Sequence, residues 1–280
     1  MASRSTDHLA YGMPTVRALL AEQVLPATEA RALLAWVLRA PRERLVAHPE
    51  TVVTPQALAD YTALVMRRQA GEPLAYLLGE KEFYGRPFRV TPDVLVPRPD
   101  TETLIDVALA CLLDHAAPQI LDLGTGSGCV AITLQLERPD ARVCATEVSA
   151  AALAVARANA QTLGASVTFL QGDWFAALGP GAAFDLIVSN PPYVACADPH
   201  LAALRHEPPL ALTDGGNGLQ CLSILIAGAR TYLCGEGWLA LEHGYDQAAA
   251  VGQRMQDAGF RQVTVHRDAG GQTRVTAGRA

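Results

Sequence analysis

The 280-residue sequence has a single lysine, Lys81, which leaves Schiff-base chemistry one poorly placed candidate. Its six cysteines (Cys111, Cys129, Cys144, Cys196, Cys221, Cys234) form no C-x-x-C pair, and its seven histidines show no H-x-x-x-H spacing. Neither a metal centre nor a disulfide framework is therefore expected. Most of the cysteines sit in apolar runs and read as reduced core residues. No apolar run reaches the roughly 18 residues a membrane span needs. The polar stretch Met1 to Gly12 lacks the basic start and apolar core of a secretory signal, so the expectation is a cytoplasmic chain that meets no membrane. Charged residues make up only 18% and the formal net charge is −6, which provides no general attraction to nucleic acid; no direct nucleic-acid partner is expected.

Apolar residues make up half of the chain, enough to bury one large domain with a smaller appendage. From Pro14 to about Arg68 they recur at helical spacing (Val16, Leu19, Leu20; Ala30, Leu33, Leu34, Val37, Leu38), punctuated by Pro26, Pro41 and Pro55. This reads as a helical domain over residues 1–73, closed by Gly71-Glu72-Pro73. Residues 74–97 read as a β-hairpin connector turning around Gly85-Arg86-Pro87. From residue 98 to 280 the rhythm changes. A helix (Leu104, Val107, Ala108, Leu112) precedes seven β-rich runs separated by helical stretches: Gln119–Leu123, Arg142–Glu147, Val167–Leu170, Phe184–Ser189, Trp238–Glu242, Gln262–His266 and Arg274–Ala277. Strands alternating with helices predict a doubly wound, seven-stranded, mostly parallel α/β sheet, with the last two runs forming an antiparallel hairpin.

The first β-run ends in Gly124-Thr125-Gly126-Ser127-Gly128 and leads into a helix at Cys129. Glycines at such a junction let backbone pass close to a ligand and aim helix N-terminal N–H groups at it. Taken alone the loop is equally a tight strand-to-helix turn. Glu147, at the end of the next run about twenty residues on, strengthens the ligand reading, because a carboxylate there can accept hydrogen bonds from both ribose hydroxyls of an adenosine. A nicotinamide dinucleotide would require a third glycine where Cys129 stands. After the third run, Asp173 could meet an adenine amino group and Trp174 cover the ring, or they could be a helix cap and a core residue.

The fourth run ends in Asn190-Pro191-Pro192-Tyr193, at the carboxyl edge where doubly wound sheets bind ligands. The lone pair of an amide or ring amino nitrogen is delocalised, so that nitrogen attacks a sulfonium methyl poorly. Two acceptors gripping its two N–H bonds would hold the lone pair toward the methyl and favour charge growing on nitrogen. The Asn190 side-chain oxygen and the Pro191 carbonyl can be that pair. Pro191 and Pro192 restrict the backbone and remove competing donors, and Tyr193 offers a flat face to a planar group. No dedicated base is needed, since the methylated nitrogen becomes acidic enough to lose its proton to water.

With these residues the chain resembles the HemK/PrmC family of peptide chain release factor glutamine N5-methyltransferases. The resemblance extends to Gly71-Glu72-Pro73-Leu74-Ala75-Tyr76, Phe83-Tyr84-Gly85, Pro97-Arg98-Pro99-Asp100-Thr101-Glu102 and the tail Arg274 to Arg279. It implies a class I S-adenosylmethionine-dependent fold, with Gly124, Thr125, Gly126, Ser127, Gly128, Glu147, Asp173, Trp174 and Asn190 around the cofactor and Asn190, Pro191, Pro192 and Tyr193 around the substrate glutamine. It further implies that the N-terminal helical domain helps dock class I release factors through their Gly-Gly-Gln loop, that Asn190 and Pro191 act in catalysis, and that S-adenosylhomocysteine is the product.

Arg205-His206-Glu207-Pro208 is a form shared with sister enzymes that methylate a glutamine of a large-subunit ribosomal protein, which keeps that substrate as an alternative. Pro99-Asp100-Thr101-Glu102 and Leu241-Glu242-His243-Gly244 favour the release-factor branch. Adenine N6 presents a similar planar NH₂ and is a further alternative, as is a binding module without turnover. Arg98, Asp100 and Glu102 either orient the methionine end of the cofactor or pair with one another. Glu207-Pro208 borders the glutamine pocket or caps a loop, and Glu242-His243 reads as satisfying backbone. Gly270-Gly271-Gln272, a copy of the target tripeptide, reads as a turn between the last two strands.

Overall fold

The prolines that punctuate the first part of the chain sit where helices begin, because a residue with fixed φ and no N–H is tolerated there and hardly anywhere later in a helix. In the computed structural model, which describes residues 13–22 and 24–280, Pro26 and Pro41 occupy the cap positions of α2 (Ala27–Val37) and α3 (Arg42–Ala47). Pro55 is the first residue of α4 (Pro55–Gln69), whose Thr54 side chain caps the Ala57 N–H. With α1 (Val16–Ala21) and α5 (Leu74–Leu78), these helices bury Leu33, Leu34, Val53, Leu64 and Leu77 in a core of their own. The division between the two compact units falls after Leu78. The segment expected to be a hairpin from residue 74 therefore differs: residues 74–78 are helical, and Leu74, Leu77 and Leu78 join the core of the first unit.

The hairpin itself is β1 (Glu80–Phe83) and β2 (Arg86–Arg89), paired antiparallel. Its two-residue turn places Tyr84 and Gly85 at φ 51° and 73°, the left-handed pair that matches strand twist. Phe83 and Phe88 meet edge to face at 6.0 Å and are buried in the core of the second unit.

That unit is built on α6 (Glu102–Cys111), β3 (Gln119–Leu123), α7 (Cys129–Glu137), β4 (Arg142–Glu147), α8 (Ala150–Leu163), β5 (Val167–Gln171), β6 (Phe184–Ser189), α9 (Gln220–Tyr232), β7 (Leu233–Glu242), α10 (Ala248–Asp257), β8 (Arg261–Arg267) and β9 (Thr273–Arg279). The sheet order is β5-β4-β3-β6-β7-β9-β8. Strands β3 to β7 run parallel, while β9 is antiparallel to both of its neighbours. Side chains alternate across the sheet as a two-residue period requires. Ile120, Leu186, Val188 and Ala240 face the core beneath α6, α7 and α8, whereas Leu121, Leu123, Ile187, Leu239 and Leu241 face that beneath α9 and α10.

All seven expected strands form. The main departure is β7, which starts five residues before Trp238 and shifts register between Phe184 and Leu186. Gly235 and Gly237 break the apolar alternation there, and a Cβ at Gly237 would stand 3.0 Å from the Phe184 carbonyl. The six cysteines are free, but Cys196 is exposed and the other five are only half-buried. Cys111 and Cys129 border the first sheet core and Cys144 the second, rather than filling them. Among the described residues no helix is long and apolar enough to cross a membrane, and no cluster of His, Cys, Asp or Glu could hold a metal ion.

Candidate active site

Strand order reverses between β3 and β6, so the connections leaving these two strands diverge to opposite faces and open a crevice at their carboxyl ends. A cavity of about 310 Å³ lies there. The glycine-rich loop leaves β3 and Asn190 leaves β6, so residues 66 positions apart in the chain line the same cavity.

Of the expected cofactor residues, Gly124, Thr125, Gly126, Ser127, Glu147, Asp173, Trp174 and Asn190 line this cavity, whereas Gly128 does not. Gly128 instead opens α7 in the left-handed conformation at φ 82°, where a Cβ would press within 2.8 Å of Ile132. The Glu147 carboxylate is held at both oxygens: Oε2 accepts from Gly126 N at 2.9 Å and Oε1 from Ser149 N at 2.9 Å. Each oxygen keeps a further lone pair for a hydroxyl. Trp174 packs half-buried against the loop, its ring 3.0 Å from where a Gly124 Cβ would stand. Asp173 makes no side-chain cap bond to the helical turn that follows it, so the capping alternative does not apply.

The second set divides. Asn190 and Pro192 reach the cavity, while Pro191 and Tyr193 do not line it. Pro191 is buried, and Tyr193 packs into the core under α9 with its Oη donating to Glu242 Oε1 at 3.1 Å. The flat face expected of Tyr193 is thus turned into the protein, because a buried phenol needs a hydrogen-bond partner and Glu242 supplies it. Burial and the Glu242 charge hold the Tyr193 hydroxyl far above its ordinary pKa. Asn190 Nδ2 donates to Thr101 Oγ1 at 3.1 Å, which leaves the oxygen of the same amide as its acceptor end.

Arg98, Asp100 and Glu102 neither cluster nor pair with one another. Arg98 lines the cavity and is bonded to buried Glu207, whose other oxygen accepts from Val96 N at 3.1 Å. Asp100 pairs with Arg274 at 3.0 Å, and Glu102 accepts from Tyr84 N at 2.9 Å. Adjacent positions in an irregular turn point in different directions, so sequence proximity did not become contact. His243 is buried; its Nδ1 lies 2.9 Å from the Gly244 carbonyl and its Nε2 2.7 Å from Thr276 Oγ1. Burial lowers its pKa, so the ring is a neutral structural tie. Gly270-Gly271-Gln272 is the β8–β9 turn, closed by Asp268 N donating to Gln272 O at 2.8 Å.

Three residues were not singled out from the sequence. Asp122 lies fully buried beneath the glycine loop and accepts from Thr125 Oγ1 at 2.6 Å and Ala131 N at 3.2 Å; burial pushes its carboxyl up to about 7. Asn159, on α8, bonds Arg89 through N–H and carbonyl at 2.8 and 3.0 Å and donates to Ser127 O at 2.8 Å. It thereby ties the hairpin to the loop. Thr101 holds Asn190. Only Asp122 had a signal in the sequence, as the acid within a strand immediately before the loop.

The fold and its crevice define a methyltransferase. Residues 101–221 match the methyltransferase small domain and residues 15–79 the PrmC N-terminal domain. A methyltransferase from Pyrococcus furiosus superposes with a TM-score of 0.54 over 79% of this chain and 98% of its own, at 19% identity, a likeness of fold. The release factor glutamine methyltransferase of Bordetella pertussis is 50% identical over 95% of this chain and 99% of its own length. That of Burkholderia pseudomallei is 48% identical over 95% and 96%. The chain belongs to the release factor glutamine methyltransferase family.

Proposed function

We propose that this protein transfers a methyl group from S-adenosylmethionine to the side-chain amide nitrogen of the glutamine in the Gly-Gly-Gln loop of class I peptide chain release factors. The observation that carries this reading is that Asn190, its amide engaged by Thr101, shares one cavity with the Gly124 loop and Glu147. The named relatives, similar over nearly the whole chain, support the same substrate.

The residues present fit the cofactor. Among the described side chains lining the cavity, the acids Asp93, Glu147, Asp173 and Asp214 outnumber the basic Arg98, which suits a sulfonium. Ser127 Oγ is buried without a partner among the described residues, and nothing stands within 4 Å of a Cβ built at Gly126, so the loop has a free polar atom and an open face. When bound, S-adenosylmethionine supplies a methyl group activated by positively charged sulfur. Glu147 would hold the ribose hydroxyls, the loop amides the remaining polar atoms, and Trp174 and Asp173 the adenine.

Asn190 Oδ1, at the cavity, accepts one N–H bond of the target amide, and Pro191, buried beside the cavity rather than lining it, offers only its backbone carbonyl to the other; the two acceptors turn the lone pair outward and stabilise positive charge as it develops on nitrogen. Pro192 sits beside them without an N–H to compete. Tyr193, bonded to Glu242, anchors the end of the segment. The helical unit, which carries the PrmC N-terminal domain match, helps dock the release factor.

The test is to incubate the protein with labelled cofactor and a class I release factor and to locate the label by mass spectrometry. One methyl on the Gly-Gly-Gln glutamine is expected. A release factor that stays unmodified while another protein takes up label would end the assignment.

A further inference from the structure

Gly270-Gly271-Gln272 repeats the tripeptide that the proposed reaction takes as its target, yet it has no part in the cavity. The fold sets it at the same edge of the sheet. Strand β6 runs parallel to β7 with Ser189 opposite Leu241, and β7 runs antiparallel to β9 with Glu242 opposite Val275. The end of β6 that leads into Asn190, the end of β7 and the start of β9 therefore share one edge. The turn before β9 rises from the edge that bears the crevice.

The turn holds its backbone and releases its side chain. Gln272 N donates to Asp268 Oδ1 at 2.9 Å, Asp268 N to Gln272 O at 2.8 Å and Gly271 N to Asp268 O at 2.9 Å. Asp268 is itself buried and paired with Arg274 at 3.2 Å, so the turn is fixed at its base. Gly270, Gly271 and Gln272 are all exposed. A Cβ at Gly271 would meet nothing within 4 Å, and two residues without side chains let a narrow crevice close on the glutamine that follows. The ordering that a flexible loop undergoes on binding is already in place here.

We infer that Gln272 is a methylation site of this protein, and that the enzyme acting on it is a second copy of the same chain. This rests on the reaction proposed above. The Gln272 amide nitrogen gains the methyl as the bond from sulfur to that carbon breaks, the electron pair stays on sulfur, and the nitrogen gives a proton to water. Transfer runs between copies because β7 stands between β6 and β9. At about 4.8 Å per strand the turn starts roughly 10 Å to the side of β6, farther than one glutamine side chain extends. The pinned backbone keeps Gln272 from bending into its own cavity. Release factor and Gln272 compete for the same site.

The experiment is to incubate the full chain with labelled S-adenosylmethionine, with and without a class I release factor, and to map the label by peptide mass spectrometry. Label on Gln272 is expected without release factor, and an excess of release factor should suppress it. An isotopically heavy Asn190→Ala chain should take label at Gln272 only when wild-type chain is added, which separates transfer between copies from transfer within one. Gln272→Glu should lose the self-label and keep turnover on release factor within about twofold. Gly271→Ala should lower self-labelling at least about tenfold, because the turn no longer fits the crevice. Gln56, Gln253 and Gln262 are exposed without two preceding glycines and serve as internal controls. Equal label on them overturns the inference. So does a heavy chain left bare beside a labelled wild type, or a wild type that methylates release factor while Gln272 stays unmodified. Release factor and Gln272 both left unmodified strike the proposed function, and the inference with it.

Discussion

Gly218 lies so close behind Tyr193 that a Cβ at position 218 would stand 2.1 Å from the Tyr193 carbonyl oxygen. Gln247 Nε2 bridges the two backbones, donating to Tyr193 O at 3.0 Å and to Gly218 O at 3.3 Å. The loop before α9 is therefore the back wall of the reacting segment. Gly218 also sits at φ 80°, a conformation side chains resist. Gly218→Ala should destabilise the fold by about 1–3 kcal/mol and lower kcat by displacing Tyr193. Thermal unfolding and turnover check both; unchanged values would mean the wall has slack.

Asn159 satisfies three backbone groups at once, two on Arg89 and one on Ser127. Asn159→Ala leaves them without partners in a buried place and should cost about 1–3 kcal/mol. Because Ser127 belongs to the glycine loop, cofactor affinity should fall as well. Denaturant unfolding with calorimetry would read the two together, and a variant of normal stability would contradict the tie.

Asn190→Ala removes the acceptor assigned to the target amide while leaving the Gly124 loop and Glu147 untouched. The expected loss in kcat is on the order of 10²- to 10³-fold, with little change in cofactor affinity. Rapid-quench measurement of methyl transfer is the direct check, and full activity would remove the mechanism.

Burial raises the Asp122 carboxyl from 3.8 to about 7 and that of Glu242 from 4.5 to about 7. Between the unfolded and folded values the native state keeps a proton that the unfolded chain has lost, so folding takes up protons. The stability these groups contribute is therefore complete below about pH 4 and is lost as pH rises through about 7. Asp122→Asn does not titrate, so its Tm relative to wild type should climb between about pH 5 and 7. A pH-independent difference would show that Asp122 is not protonated on folding.

The alternation of strands and helices was legible from residue 119 onward because a two-residue period and a 3.6-residue period leave different apolar patterns. The loop ends were legible for a similar reason: Gly124 to Gly128 and Asn190 to Tyr193 break those patterns at strand ends, where backbone conformation is demanding. Residues 74–78 were harder, since five residues are too few for a period to declare itself and their helical form depends on the core they join. Which face Tyr193 shows, and which partners Arg98, Asp100 and Glu102 take, left no trace in local sequence.

Local composition, then, determined the sheet, the turn chemistry and the two loops that carry the reaction. The arrangement of those loops around one cavity, and the buried Asn159, Thr101 and Glu242 behind them, were decided by tertiary structure. The reason is physical: a hydrogen bond between residues 89 positions apart in the chain, like that of Asn190 with Thr101, has no periodic signature and exists only after the sheet has brought its two ends together.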